Sequence, residues 1–492
     1  MSSSSFQDRL PLIEPGSAKE GRPWQLKVQP GISTFGSRSA VVGEMHLKKL
    51  ILFAQDLVPS DQHAATPLYL YATAGMRLLP EHEQRDVMRE SCAFIKQESS
   101  FALVKGCQEH VGVISGEREG LYGWLTVNYL LKGFQKTEGD VPTTFGFLDM
   151  GGASAQVAYE MPSPSLRKQH ANDLQSVELT TLDGQSRSFH VFVTTFLGYG
   201  ANEARKRYLD QLKATASATG EVTDPCLPKE TTLEEEAHQD LKLKLKGSGD
   251  WQACLDQTHP LLNKEAPCPD QPCVFNGVHA PGSEGIFSKM RFIGVSVYWY
   301  TLNEIYNVAG SYDYQRLFEK AKDFCSRSWT LIRSQFDAKE FGETDTERLQ
   351  KQCFKTSWLM NVLHKGFGLP TDTIGTLSPG DPMRPFRSVD TVDGFSVSWT
   401  LGVALSHAAE HARESYRWPS QASLFLVLFI VLAVAVFFAS RFLTTRYSDD
   451  GLSGVQQWMQ RRGRYHPLSR PDLESGIRVG GGLPQPFPMT QR

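Results

Sequence analysis

Residues 146–160 read GFLDMGGASAQVAYE. Apolar residues run up to Asp149, two glycines follow, and small polar residues lead into a second apolar run. The pattern predicts a strand, a tight turn and a strand, with the Asp149 carboxylate at the tip. Gly151 and Gly152 can take backbone angles closed to other residues and let a ligand approach the main chain. Peptide N–H groups turned the same way in such a turn form an anion nest. Ser154 adds a hydroxyl and Gln156 an amide, and Asp149 can hold a hard cation through its water shell, as a phosphate-bound metal prefers. Alone, the stretch is equally a plain glycine hairpin, so its neighbours decide.

The chain of 492 residues is long enough for several domains. A net charge of −3 with an ordinary charged fraction of 21% gives no sign of nucleic-acid binding. All eight cysteines lie between Cys92 and Cys353. Their even number on one side of an apolar segment predicts disulfides and an oxidising compartment, with connectivity left open. Cys325 with Cys353, flanking a helical stretch, is the expected local pair, and Cys268 with Cys273 the next. Zinc-finger spacing is absent.

Residues 422–439 (ASLFLVLFIVLAVAVFFA) carry no charge. As a helix they span about 27 Å, roughly a secretory-pathway hydrocarbon core. A single C-terminal transmembrane helix is expected, followed by a disordered tail over 440–492. The arginines at 461, 462 and 464 favour a cytosolic tail with the large domain in the lumen, and such a tail could meet a regulatory partner. Residues 1–23 are polar, without an apolar signal core, and are expected to be disordered.

From the N-terminal side, Trp24–Phe35 predicts a short strand and a Pro-Gly turn, and Val42–Leu57 has helical spacing. Thr66–Pro80 (TPLYLYATAGMRLLP) predicts a buried strand that delivers Thr73 and Arg77, a hydroxyl and a guanidinium able to face a phosphate from a strand end. Val111–Phe134 (VGVISGEREGLYGWLTVNYLLKGF) predicts a strand and then a helix. Glu117 and Glu119 fall in its first turn, where the helix dipole favours acids. The functional reading is that Glu119 projects into a cleft as a general base. Asn128 is either a core amide or a partner of the site. His190–Tyr208 predicts a strand running into a helix, and 212–246, with its Leu-Lys alternation, a surface excursion. Tyr298, Trp299 and Tyr300 could stack a base or fill an aromatic core.

Several blocks in order resemble the apyrases, or ecto-nucleoside triphosphate diphosphohydrolases. They are YATAGMR (71–77), SGEREGLYGWLTVNYLL (115–131), LDMGGASAQ (148–156), FLGYGANEA (196–204) and WTLGVAL (399–405). With FIGVSVYWYTLNEIY (292–306) and the single anchor, the chain looks most like the Golgi or endosomal apyrases of fungi. The resemblance covers roughly 24–411. It implies an α/β, two-lobed actin-like, sugar-kinase-like (RNase H-like) fold. A remnant of the N-terminal lobe would span 24–110 and the C-terminal lobe 111–395, with a helix over 396–411 returning to the first lobe.

By the same resemblance Glu119 activates water, and Ser154 and Gln156 position it. Asp149 orders the water shell of Ca2+ or Mg2+. Thr73, Arg77, Gly151, Gly152, Ala153 and Ser154 contact phosphate. The implied activity is metal-dependent hydrolysis of nucleoside di- and triphosphates such as GDP, UDP and ATP in the Golgi lumen. Relatives also carry an Asp-Ala-Gly-Ser-Ser type loop upstream of LKVQPGISTFG, which is not found before Val28. The N-terminal lobe is therefore expected to be incomplete, and a truncated, catalytically inactive nucleotide- or partner-binding relative stands as the alternative. A sugar kinase ranks below both, because no sugar pocket is identifiable.

Overall fold

The structure, a computed structural model, describes residues 5–14, 24–135, 144–237, 242–371 and 385–459, apart from positions 309, 311 and 343. Two units separate at residue 417. In the first, β1 (Leu70–Ala72) and β2 (Val111–Val113) form a parallel pair. Helices Lys48–Leu57 and Glu81–Glu98 cover it, because Leu47, Ile51, Val87, Cys92 and Ile95 recur at helical spacing and turn one apolar face inward. Among the described residues this first sheet has two strands. The strand expected before Phe35 is absent; Ile32–Val41 is a 3-10 helix with Phe35 buried.

The remaining strands among the described residues are β3 (Gly146–Met150), β4 (Ser154–Glu160), β5 (Leu174–Thr180), β6 (Ser186–Leu197), β7 (Glu221–Asp224), β8 (Thr232–Glu236), β9 (Lys242–Gly247), β10 (Phe292–Ser296), β11 (Phe386–Ser388) and the short antiparallel pair β12 (Thr391–Val392) and β13 (Phe395–Ser396). Six of them make the main sheet in the order β11-β10-β3-β4-β6-β5. β3, β4 and β6 are antiparallel neighbours, the β5–β6 hairpin placing β5 at the outer edge, and β10 and β11 run parallel to β3. Three antiparallel neighbours flanked by two parallel strands are the arrangement expected of one actin-like lobe.

Alternation along β3 and β4 splits the sheet into two faces. Leu148, Met150, Ala155, Val157 and Tyr159 join one core with Phe196, Tyr208 and Trp358. Phe147 and Ala158 join the other, with Trp124, Val193, Val403 and Leu405. Asp149, Ser154 and Gln156 share the parity of the second face, where helix Gly116–Leu130 lies. Asn128 on that helix is a core amide. It donates to the Trp124 and Phe145 carbonyls and accepts from the Phe145 N–H.

All four disulfides close: Cys92–Cys107, Cys226–Cys254, Cys268–Cys273 and Cys325–Cys353. Two expectations need correction. Residues 5–14 are ordered against the lobe, with Leu10 buried, Gln7 donating to the Tyr129 carbonyl and Arg9 paired with Asp183. The Leu-Lys run is β9, its Leu243 and Leu245 inward and its lysines outward, in a sheet ordered β7-β9-β8. Arg205 pins this sheet through buried ion pairs to Asp224 and Glu235.

A helix is assigned over Trp399–Met459. Its early turns pack in the first unit, where Gly402 lies so close to the Tyr122 carbonyl that no Cβ would fit. His407 there stacks on Tyr69 beside β1. The second unit, 418–492, holds the segment Phe425–Phe442, which is long and apolar enough to cross a membrane and exposes its side chains. Backbone helix extends through Met459, where disorder was expected from 440; residues 460–492 of that expected tail lie outside the described residues, as do residues 15–23 of the expected disordered N-terminus.

Candidate active site

Three glycines set the height of helix Gly116–Leu130 above the sheet. A Cβ on Gly116 would overlap Thr195, one on Gly120 would stand 2.8 Å from Val193 and 3.3 Å from Gln156, and one on Gly123 would strike the Phe147 ring. With that stripe bare, the helix lies directly on β3, β4 and β6. Ser115 caps its start by accepting the Arg118 N–H. Glu119, one residue off the stripe, is thereby buried beside Gln156 on β4, whose amide donates to Glu119 Oε2 at 3.2 Å and also to the Ser154 hydroxyl.

The other side of Glu119 is closed by Arg77, the last residue of the short helix Ala74–Arg77 after β1. Its Nη2 donates to Glu119 Oε2 at 2.9 Å and to Ser154 Oγ at 3.4 Å, while Nη1 donates to the Ile114 carbonyl at 2.8 Å. One guanidinium thus ties the end of β2, the first turn of the Glu119 helix and the start of β4. Thr73 stands at the N-cap of the Arg77 helix, where its hydroxyl makes no capping bond.

The turn between β3 and β4 is built differently from the glycine rule. Neither Gly151 nor Gly152 adopts a positive φ. Their carbonyls are what the turn uses. Gly151 accepts the Ala201 N–H, and Gly152 accepts those of Asn202 and Glu203, satisfying the first N–H groups of helix Ala201–Lys213. In a trans peptide the N–H opposes the carbonyl. The Gly152 and Ala153 N–H groups therefore point away from that helix, as an anion nest requires. The tight position is Gly200, where a Cβ would lie 2.5 Å from Ala153 N, so only glycine lets the two backbones touch.

Asp149 pairs across the strands with Gln156 and is buried. Burial raises its pKa, against the Ser296 hydroxyl and the Met150 N–H. Its Oδ1 has no hydrogen-bond partner. Burial also lifts Glu119 to about 7, helped by the Asp149 charge and opposed by Arg77. Two buried carboxylates thus lie in each other's field, with Arg77 paired to Glu119, and the orphaned Asp149 oxygen fits a divalent cation. Ser296, at the end of β10, holds φ 58 and ψ −119, a region costly for a side chain.

Glu119, Ser154, Gln156, Arg77 and Asp149 are therefore brought to one place from four segments, with the 151–153 turn at their edge. Tyr298 is buried against Phe386 in the core. Tyr300 instead lines a cleft of about 190 Å3 with Gly152, Asn202, Glu304, Arg348 and Lys355. Sequence reasoning missed Ser296, Gly200 and the glycine stripe. The 4- and 3-residue spacing of Gly116, Gly120 and Gly123 was the available signal for the last.

Residues 14–417 match the sequence profile of the GDA1/CD39 (nucleoside phosphatase) family. A Golgi apyrase of Schizosaccharomyces pombe is 40% identical over 421 residues, covering 82% of this chain and 71% of that protein. A nucleoside-diphosphatase of Caenorhabditis elegans is 32% identical over 428 residues, covering 82% and 73%. Among solved structures, a nucleoside triphosphate hydrolase from Neospora caninum aligns with a TM-score of 0.50 at 14% identity, over 77% of this chain and 79% of that one. That likeness is of fold, the actin-like α/β architecture.

Proposed function

The chain belongs to the GDA1/CD39 (nucleoside phosphatase) family of hydrolases, and on that premise we propose that the Glu119 site hydrolyses the terminal phosphoanhydride bond of nucleoside di- and triphosphates. The observation that carries the reading is the convergence on Glu119 Oε2 of Arg77 and Gln156, with Ser154 bonded to both. A carboxylate with two donors on one oxygen keeps the lone pairs of its other oxygen for a water proton. Raised toward neutrality, it is a stronger base than a solvated carboxylate.

Water adds to the terminal phosphorus, its proton passes to Glu119, and the bond to the bridging oxygen breaks. The products are inorganic phosphate and the nucleotide shortened by one phosphate. Ser154 and Gln156 orient the water. The Gly152 and Ala153 N–H groups, Arg77 and Thr73 receive phosphate oxygens. Phosphoryl transfer asks mainly for positioning and charge stabilisation, which these groups supply. Asp149 would hold Ca2+ or Mg2+ through water, and the cation would neutralise phosphate charge. The cleft of Tyr300 and Arg348 beside Gly152 offers room for the nucleoside.

The apolar segment Phe425–Phe442 and the relatives named Golgi apyrase support a Golgi-membrane enzyme. Four disulfides support a luminal catalytic unit, where hydrolysis of GDP and UDP would serve glycosylation. Phosphate release from GDP, UDP and ATP, measured with Ca2+ or Mg2+ and again with a chelator, tests substrate range and metal together. Cation-dependent release from both diphosphates is expected; equal release in chelator contradicts the metal role. A second reading, nucleotide binding without turnover, draws on the two-stranded sheet behind Arg77. Saturable nucleotide binding with no phosphate release would favour it.

A further inference from the structure

At the far end of β4 from Ser154, two connections meet. The first is helix Pro164–Gln169 with the 3-10 turn Ala171–Asp173. The second is the loop closed by Cys268–Cys273, whose Cys273 bridges to His279. His170, Asp173 and His279 stand at the junction, one ligand atom of each within 4.8 Å of the others. His170 Nδ1 is 3.4 Å and His279 Nε2 3.7 Å from the same oxygen, Asp173 Oδ2. A second carboxylate, Asp270, lies 3.9 Å from His279 Nε2.

The ring orientation of His279 is fixed by its neighbour. Its Nδ1 lies 2.9 Å from the Asp270 carbonyl, which can only accept, so Nδ1 carries the hydrogen. Nε2 is sealed from water and has no hydrogen-bond partner. It faces a carboxylate at a distance too long for an N–H···O bond. A ring held through Nδ1–H on a carbonyl, with its other nitrogen aimed at a carboxylate oxygen, is the usual posture of a metal-bound histidine. In a tetrahedral site with bonds near 2.05 Å, ligand atoms are about 3.3 Å apart. Two of the distances here are within a few tenths of an ångström of that, and the third pair, the two imidazole nitrogens, lies within 4.8 Å and closes with a side-chain rotation.

We propose that His170, Asp173 and His279 bind one zinc ion, with Asp270 or water in the fourth position. Two imidazoles and a carboxylate favour zinc over calcium or magnesium, which seek oxygen cages. The ion clips the β4–β5 connection to the disulfide loop that leads toward β10. It thus braces from outside the two strands that carry Ser154 and Ser296, and it is a different ion from the one proposed at Asp149.

The full chain in detergent, loaded with zinc and dialysed against excess Mg2+, tests this by metal analysis. One zinc per chain is expected in the wild type and in Asp149→Asn. A loss of at least tenfold in retained zinc is expected in His170→Ala and in the near-isosteric Asp173→Asn. Cobalt in place of zinc should give tetrahedral visible bands that both variants lack. No retained zinc in the wild type, or the same zinc content and cobalt spectrum in folded Asp173→Asn, overturns the proposal.

Discussion

Arg77 Nη2 lies 2.9 Å from Glu119 Oε2, and both side chains are largely withdrawn from solvent. The pair joins the short helix after β1 to the first turn of the helix on the main sheet, so the Glu119 carboxylate is held in place from the neighbouring sheet. A buried ion pair broken on one side strands the other charge, at a cost of roughly 3–5 kcal/mol.

Replacing Arg77 by alanine should therefore do two things at once. Stability should fall by about 3 kcal/mol, read from denaturant midpoints, and kcat/KM should drop at least a hundredfold. Arg77→Lys should restore part of the stability but little activity, because one ammonium cannot reach Glu119, Ser154 and the Ile114 carbonyl together.

The elevated Glu119 sets the pH response. Its ordinary value is 4.5, and burial with the Asp149 charge carries it to about 7. The base is the ionised form, so kcat/KM should climb through an acidic limb lying well above the ordinary carboxylate range and level off beyond it. For stability the sign is opposite. A carboxyl whose folded pKa is raised favours the fold while protonated, and that contribution is lost as pH rises from 4.5 toward 7. An acidic limb centred near 4.5 would rule out Glu119 as the titrating base.

Gly120→Ala tests the height of the helix. The added methyl would meet Val193, a β-branched residue held in the sheet, at 2.8 Å, and Gln156 at 3.3 Å. Lifting the helix should cost roughly 1–3 kcal/mol and move Glu119 off Gln156. We expect kcat to fall more than tenfold with KM little changed. Unaltered kcat would mean that the close approach is not what aligns Glu119.

Ser296 combines strain with a hydrogen bond to Asp149. Ser296→Gly should relieve about 1 kcal/mol of backbone strain while losing the hydroxyl. It should be as stable as the wild type or more so, and less active. Ser296→Ala keeps the strain and loses the bond, so it should be the less stable of the two variants. The reverse order in melting temperature would refute the strain argument.

How much of this was legible in the chain depends on sequence distance. The strand–turn–strand at 146–160 was readable, because alternation puts Ser154 and Gln156 on one face; the pairing of Asp149 with Gln156 brings the carboxylate to the same face. The role of its glycines was not. Their identity suggested unusual φ, whereas the crowding that demands glycine falls at Gly200, on a segment whose proximity only the fold supplies. The Arg77–Glu119 pair spans 42 residues and two sheets, and no local pattern encodes it. Ser296 reaches Asp149 by sheet pairing between β10 and β3. The Leu-Lys run had the strand period in plain view, but its charge pointed to a surface excursion. Residues 5–14 looked disordered because Phe6, Leu10 and Ile13 are too few to fold alone; they order by covering apolar surface that the lobe provides.

The central claim is that Glu119 is the group that activates water for phosphoanhydride hydrolysis. The direct test is steady-state phosphate release from GDP by the wild type and Glu119→Gln, with nucleotide affinity measured on both. The account predicts cation-dependent release in the wild type, a fall of about 10²–10⁴ in kcat in the variant, and affinity within a few-fold. A variant that turns over at near wild-type rate would contradict it, as would a wild type that binds GDP tightly and releases no phosphate.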